Sequence, residues 1–133
     1  MKYAQVFVAA AILATGALGS TAAFAADGDP VAGKAIFTKN CSVCHEAEKQ
    51  RHGGGPYLMG VVGRPAASTD FPRYSKAMKA SGIVWDTAKI ATFIYEPKAY
   101  VPGTAMYFAG LKDTQAAADV AAYLAEHSPA PAK

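Results

Sequence analysis

The run Cys41-Ser42-Val43-Cys44-His45 constrains this chain more than any other feature. Two thiols two residues apart lie within one turn of backbone, and a histidine follows the second directly. C-x-x-C-H is the attachment signature of a c-type haem. The cysteines can add to the two vinyl groups as thioethers, and the imidazole then lies under the iron as one axial ligand. A chain tethered in this way has to fold around a large, flat, apolar group.

Other readings of a paired cysteine fit less well. These are the only two cysteines in 133 residues. A structural zinc site usually takes four protein ligands, and beyond His45 only His52 and His127 remain to complete one. A thioredoxin-like pair belongs beside a βαβ pattern, which is not visible here. Export would permit a disulfide, but with both cysteines committed to haem none remains. The N-terminus fits the haem reading. Lys2, an apolar run from Ala4 to Leu18 and the small residues ending Ala23-Phe24-Ala25 form a secretory signal pattern with an A-x-A cleavage site. The run of about 15 residues is short for a membrane span of ~20; an uncleaved anchor is the alternative. The expectation is a signal peptide at 1–25, cleaved after Ala25, export to the periplasm and one mature domain at 26–133.

Cutting 25 residues from 133 leaves 108, one small domain. So short a chain has limited room for a core, and a buried haem adds apolar surface to pack on. Without Lys2 it holds 12 basic and 10 acidic side chains. This weak balance does not point to nucleic acid.

The fold class expected is all-α, helices and long loops wrapped around the haem. A first helix begins at Asp29, a good N-cap, with Pro30 at the first helical position, and runs towards Asn40. Gly33 is a poor helix former; its place inside this helix suggests close approach of another backbone. From Glu46 to Asp70 periodicity is lost and glycine-proline loops dominate, with Leu58, Met59, Val61 and Val62 available to pack on the haem. A short helix spans Ser75 to Ser81, stopped by Gly82. Another starts at Asp86, with Trp85 and Ile90 at the spacing of a hydrophobic staple, and ends before Pro97. The last begins near Asp113 or Thr114, with Ala117, Val120, Ala121 and Leu124 on one face. No alternating strand pattern competes. The tail from Ser128 to Lys133 reads as frayed.

The other axial position decides between chemistries. A protein ligand there blocks substrates and favours electron transfer; an open position favours gas binding or peroxide chemistry. The candidates are Met59, Met78, Met106, His52 and His127. Met106 follows Val101-Pro102-Gly103-Thr104-Ala105, a segment shaped as a tight loop that can hold a thioether at fixed distance. Met59 could reach but reads better as core filler.

The chain resembles the class I cytochromes c, in particular the cytochrome c2 branch and its mitochondrial relatives, over 28–127. The resemblance rests on Gly33 and Phe37, then Cys41, Cys44 and His45. It continues through Gly55-Pro56-Tyr57-Leu58 and Gly60-Val61-Val62-Gly63-Arg64, Tyr74, Ser75 and Trp85, then Pro97, Tyr100, Pro102-Gly103-Thr104, Met106 and Phe108-Ala109-Gly110. Val120 and Tyr123 close it. It implies one covalent haem c held by Cys41 and Cys44, with His45 and Met106 as axial ligands. It implies that the Pro56 carbonyl orients His45 and that Arg64, Tyr74, Ser75 and Trp85 hold a propionate. The role implied is a monomeric one-electron carrier rather than an enzyme. Its donor would be a bc1-type complex, and its acceptor an oxidase, peroxidase or reaction centre. Membrane insertion after cleavage is not expected. Departures are Phe93 and Met78 where relatives often have polar groups, Tyr57 where asparagine is common, and Ala105 and Asn40 in place of lysines. The basic ring around the haem edge is thinned to Lys39, Lys98 and Lys112.

Overall fold

The computed structural model describes residues 27–129, and the expected signal peptide and the last four residues lie outside that span. The order of elements is α1 (Pro30–Asn40), α2 (Lys76–Ala80), α3 (Thr87–Tyr95), α4 (Pro97–Tyr100) and α5 (Thr114–Glu126). Among the described residues the only β feature is an isolated bridge between Pro65 and Val84. The all-α expectation holds.

Each major helix starts where an acidic or hydroxyl side chain accepts the first free N–H groups. Asp29 accepts from Val31 and Ala32, Ser75 from Met78, Asp86 from Lys89, and Asp113 from Gln115 and Ala116. Trp85 and Ile90 are both buried astride the Asp86 cap, as the staple requires. The helix α4 was not expected. Pro97 does stop α3, but its fixed φ also suits the first position of a new turn, and it opens α4 with its own side chain buried.

The core lies where α1 and α3 pack on α5. Phe37, Ile90, Phe93, Ile94, Val120, Ala121, Tyr123 and Leu124 are all buried there. The α1–α5 crossing depends on Gly33: a methyl at this position would overlap the backbone carbonyl of Asp119. Asp119 is itself buried, and its carboxylate accepts from the Asp29 N–H and the Gln115 amide, both at 2.8 Å. The crossing therefore holds the start of α1, and α1 leads directly into Cys41.

The segment between Glu46 and Asp70 has no helix but is tightly bonded. The tail also departs from expectation at its start. The Ser128 hydroxyl donates to the Leu124 carbonyl at 2.9 Å and accepts from the Val62 N–H at 3.1 Å. Two hydrogen bonds on one hydroxyl hold Ser128 in place.

Candidate haem site

Cys41 caps the C-terminus of α1, and its N–H donates to the Phe37 carbonyl. The Cys44 and His45 N–H groups then donate back to the Cys41 carbonyl at 3.0 and 2.9 Å. This turn sets the two cysteines and the histidine on consecutive strokes of one coil. The two cysteines are not joined to each other, and Cys41 is half-buried while Cys44 is exposed. Before a thioether forms, burial, and then the neighbouring Cys44, push the Cys41 thiol up to about 11.

The His45 Nδ1–H donates to the Pro56 carbonyl at 2.6 Å. That bond fixes the tautomer and leaves Nε2 as the free lone pair, the arrangement a metal-bound imidazole needs. Burial lowers the imidazole's proton affinity and outweighs the Pro56 bond, so the neutral ring is favoured. From sequence Gly55 enters only through the Gly55-Pro56-Tyr57-Leu58 resemblance, with no role of its own; the structure gives it one. It is buried, and a methyl on it would run into the His45 ring. Its N–H also donates to the Cys44 carbonyl at 2.9 Å. Three glycines ending in Pro56, so soon after the motif, were the available signal.

The Pro56 segment is braced by Arg64. Its guanidinium donates to the carbonyls of Met59 and Tyr57, each at 2.9 Å, and lies over the Tyr57 ring. Burial pulls this guanidinium below its ordinary range. Two of its N–H groups are thus committed to the chain and the others stay available. The Tyr74 and Thr69 hydroxyls share a hydrogen bond of 2.7 Å. The Ser75 hydroxyl is the α2 cap and keeps its proton free to donate. Trp85 is buried against Phe93, ring centroids 5.3 Å apart, and pairs by its backbone with Arg64 and Gly63.

Met106 lies in a loop closed on itself. The Thr104 N–H donates to the Val101 carbonyl at 3.0 Å, the Met106 N–H to the Thr104 hydroxyl at 3.3 Å, and the Phe108 N–H to the Met106 carbonyl at 3.0 Å. The loop ends at Gly110, whose φ of 105° and contact with the Tyr95 carbonyl leave no room for a side chain. Of the other candidates, Met78 packs on the core and His52 bridges Asp70 and the Tyr57 N–H. His127 caps α5, its ring edge against Tyr123. Phe93 is buried, with Trp85 and Tyr100 as ring neighbours.

These residues suit a haem. Cys41, Leu58, Val62, Met78, Ile83, Tyr100 and Met106 pack on the core yet remain only partly buried. A flat apolar group would complete their burial, and the free thiols and oriented imidazole supply its attachments. Among the described residues no cluster of three His, Cys, Asp or Glu could hold a bare metal ion.

Comparison with known proteins covers the same span. The family model for cytochrome c matches residues 30–128. A cytochrome c2 of Rhodomicrobium vannielii is 48% identical over 107 residues, covering 80% of this chain and 84% of the relative. A cytochrome c of Theileria annulata is 46% identical over 106 residues, covering 77% and 89%. The solved structure of cytochrome cH from Methylobacterium extorquens superposes with a TM-score of 0.68 at 42% identity, covering 74% of this chain and 99% of that one. With a match over almost all the described residues, and a fold built to present two thiols and an oriented imidazole, the chain belongs to the cytochrome c family and is a haem c electron carrier.

Proposed function

We propose that this chain is an exported carrier that takes single electrons from a bc1-type complex to a terminal oxidase, a peroxidase or a photosynthetic reaction centre. The observation that carries the reading is the 2.6 Å bond from His45 to the Pro56 carbonyl. It prepares one imidazole nitrogen as a strong, fixed ligand, which a carrier needs if its ligand set is to change little between oxidation states. The haem supplies a one-electron Fe(III)/Fe(II) couple.

The residues divide the work. Cys41 and Cys44 anchor the group, His45 and Met106 are the axial ligands, and Pro56 orients His45. Arg64, Tyr74, Ser75 and Trp85 offset the charge of the propionates, whose burial without partners would be costly. The self-closed Val101–Phe108 loop supports Met106 as ligand, since a thioether binds weakly unless held in place. The Met1–Ala25 pattern supports export and cleavage to 26–133. No helix among the described residues is long and apolar enough to cross a membrane.

Partners would meet the surface beside Met106. A hollow of about 280 Å³ there is lined by Glu96, Lys98, Tyr107, Phe108 and Ala109, and Tyr107 is 99% exposed. Of the lysines expected at this edge, Lys112 pairs with Glu96 at 3.5 Å and lies over the Tyr95 ring. Lys98 forms no ion pair among the described residues.

The test is the absorption spectrum of the exported protein, oxidised and reduced, with and without CO. A low-spin c-type spectrum with a thioether-to-iron band, unchanged by CO, is expected. A high-spin component or ready CO binding would refute Met106 ligation and redirect the search to a small-molecule substrate.

A further inference from the structure

The turn at Gly60–Val62 is held from both sides. On one side is the end of α5: the Gly60 N–H donates to the His127 carbonyl at 2.8 Å, and the Val62 N–H to the Ser128 hydroxyl at 3.1 Å. That hydroxyl also donates to the Leu124 carbonyl at 2.9 Å. One proton and two lone pairs allow both bonds at once. On the other side the Gly63 N–H donates to the Trp85 carbonyl at 2.6 Å, and the Trp85 N–H to the Arg64 carbonyl at 3.0 Å. Arg64 follows directly, and its side chain grips the Tyr57 and Met59 carbonyls. Tyr57 is covalently next to Pro56, the acceptor for His45.

We propose that the C-terminal end of α5 is a latch on the histidine side of the haem. Ser128 is a positioning residue that sets the Pro56 carbonyl on His45 through the Gly60–Arg64 turn. The inference rests on His45 being an axial ligand. An imidazole that donates its second N–H to a well-placed acceptor is the more basic ligand, and a more basic ligand favours Fe(III). Releasing the turn weakens that acceptor and shifts the couple towards Fe(II). Ser128 sits 83 positions from His45 in the chain, so neither motif nor spacing connects them.

The test uses the haem-loaded protein with Ser128→Ala, Ser128→Thr and, as a control, Asp113→Ala at the opposite end of α5. Two quantities are read: the reduction potential, and by NMR the solvent exchange of the His45 Nδ1 proton. Ser128→Ala is expected to raise the Fe(II)/Fe(III) ratio two- to threefold at fixed ambient potential. That is about 20–30 mV at 59 mV per tenfold for one electron. Proton exchange should quicken several-fold. Ser128→Thr keeps the hydroxyl and is expected to restore both. Asp113→Ala removes a cap and lowers stability, yet is expected to leave both unchanged. Unchanged potential and exchange in Ser128→Ala, or an equal shift in Asp113→Ala, would overturn the latch. The wild-type spectrum reports separately whether His45 binds the iron, so failure of the ligand assignment shows there and not in the variants.

Discussion

Replacing Gly33 by alanine is expected to destabilise the protein although alanine is the better helix former. On propensity alone the change should gain about 1 kcal/mol in the interior of α1. Against this stands the Asp119 carbonyl, which the new methyl would overlap. The obstacle is backbone in the middle of α5 and cannot rotate aside, so the two helices must separate. Forcing extra volume into a packed core costs about 1–3 kcal/mol. Separation also loosens the Phe37–Tyr123 ring pair, centroids 5.4 Å apart, in which such contacts contribute about 0.5–1.5 kcal/mol beyond burial. The net loss is about 2 kcal/mol. For a domain near 100 residues this lowers the melting temperature by about 8–16 °C. The assay is a thermal melt of the haem-loaded protein followed by circular dichroism. Ala35→Gly, at an exposed site on the same helix, measures the propensity term alone. A Gly33→Ala protein as stable as wild type would refute the close crossing.

Further outcomes can be checked in the same way. Met106→Ala is expected to convert the reduced protein to a form that binds CO, read by absorption; a variant that stays low-spin and inert to CO would place the ligand elsewhere. Asp113→Ala should cost about 1 kcal/mol in a denaturant melt, because it frees the Gln115 and Ala116 N–H groups. Burial, and then the hydrogen bond to Glu48, push the Tyr123 phenol up to about 12 from its ordinary 10.0. The folded state therefore favours the protonated phenol, and the associated stability is complete below pH 10 and lost as pH climbs towards 12. Glu48→Gln should bring Tyr123 ionisation towards 10 in an ultraviolet titration, and no change would exclude the Glu48 bond as a cause. Electron transfer to an isolated redox partner should slow only modestly with added salt, since Lys112 is already paired with Glu96; a steep fall would contradict this.

The parts of this molecule that can be read from sequence are those whose chemistry is local. C-x-x-C-H specifies its own turn, and Asp29, Ser75, Asp86 and Asp113 cap helices within three residues of themselves. Gly33 is legible as an anomaly in α1, because a glycine in a good helix implies a neighbour that needs the space. Pro97 is legible as the end of α3, because a residue before proline avoids the helical region, but not as the start of α4. What stays hidden is the closure of distant segments by backbone groups, because every residue carries the same N–H and C=O. Nothing in the residue types distinguishes the Tyr57 and Met59 carbonyls as acceptors for Arg64, or Ser128 as the acceptor for Val62.

That division bears on how the site is tuned. The local motif decides which of its atoms are placed to bind the haem. The closures decide how firmly the ligands are held. Pro56 makes its bond to His45 with a backbone carbonyl, so its strength depends on where the whole 56–64 turn is placed. That placement is fixed by Arg64 within the turn, by Trp85 on one side and by the end of α5 on the other. With His45 as the proposed ligand, substitutions remote from the iron are expected to shift the couple without touching any ligand, provided they act on one of those three supports. A substitution of similar cost at the start of α5, which touches none of them, is expected to change stability alone.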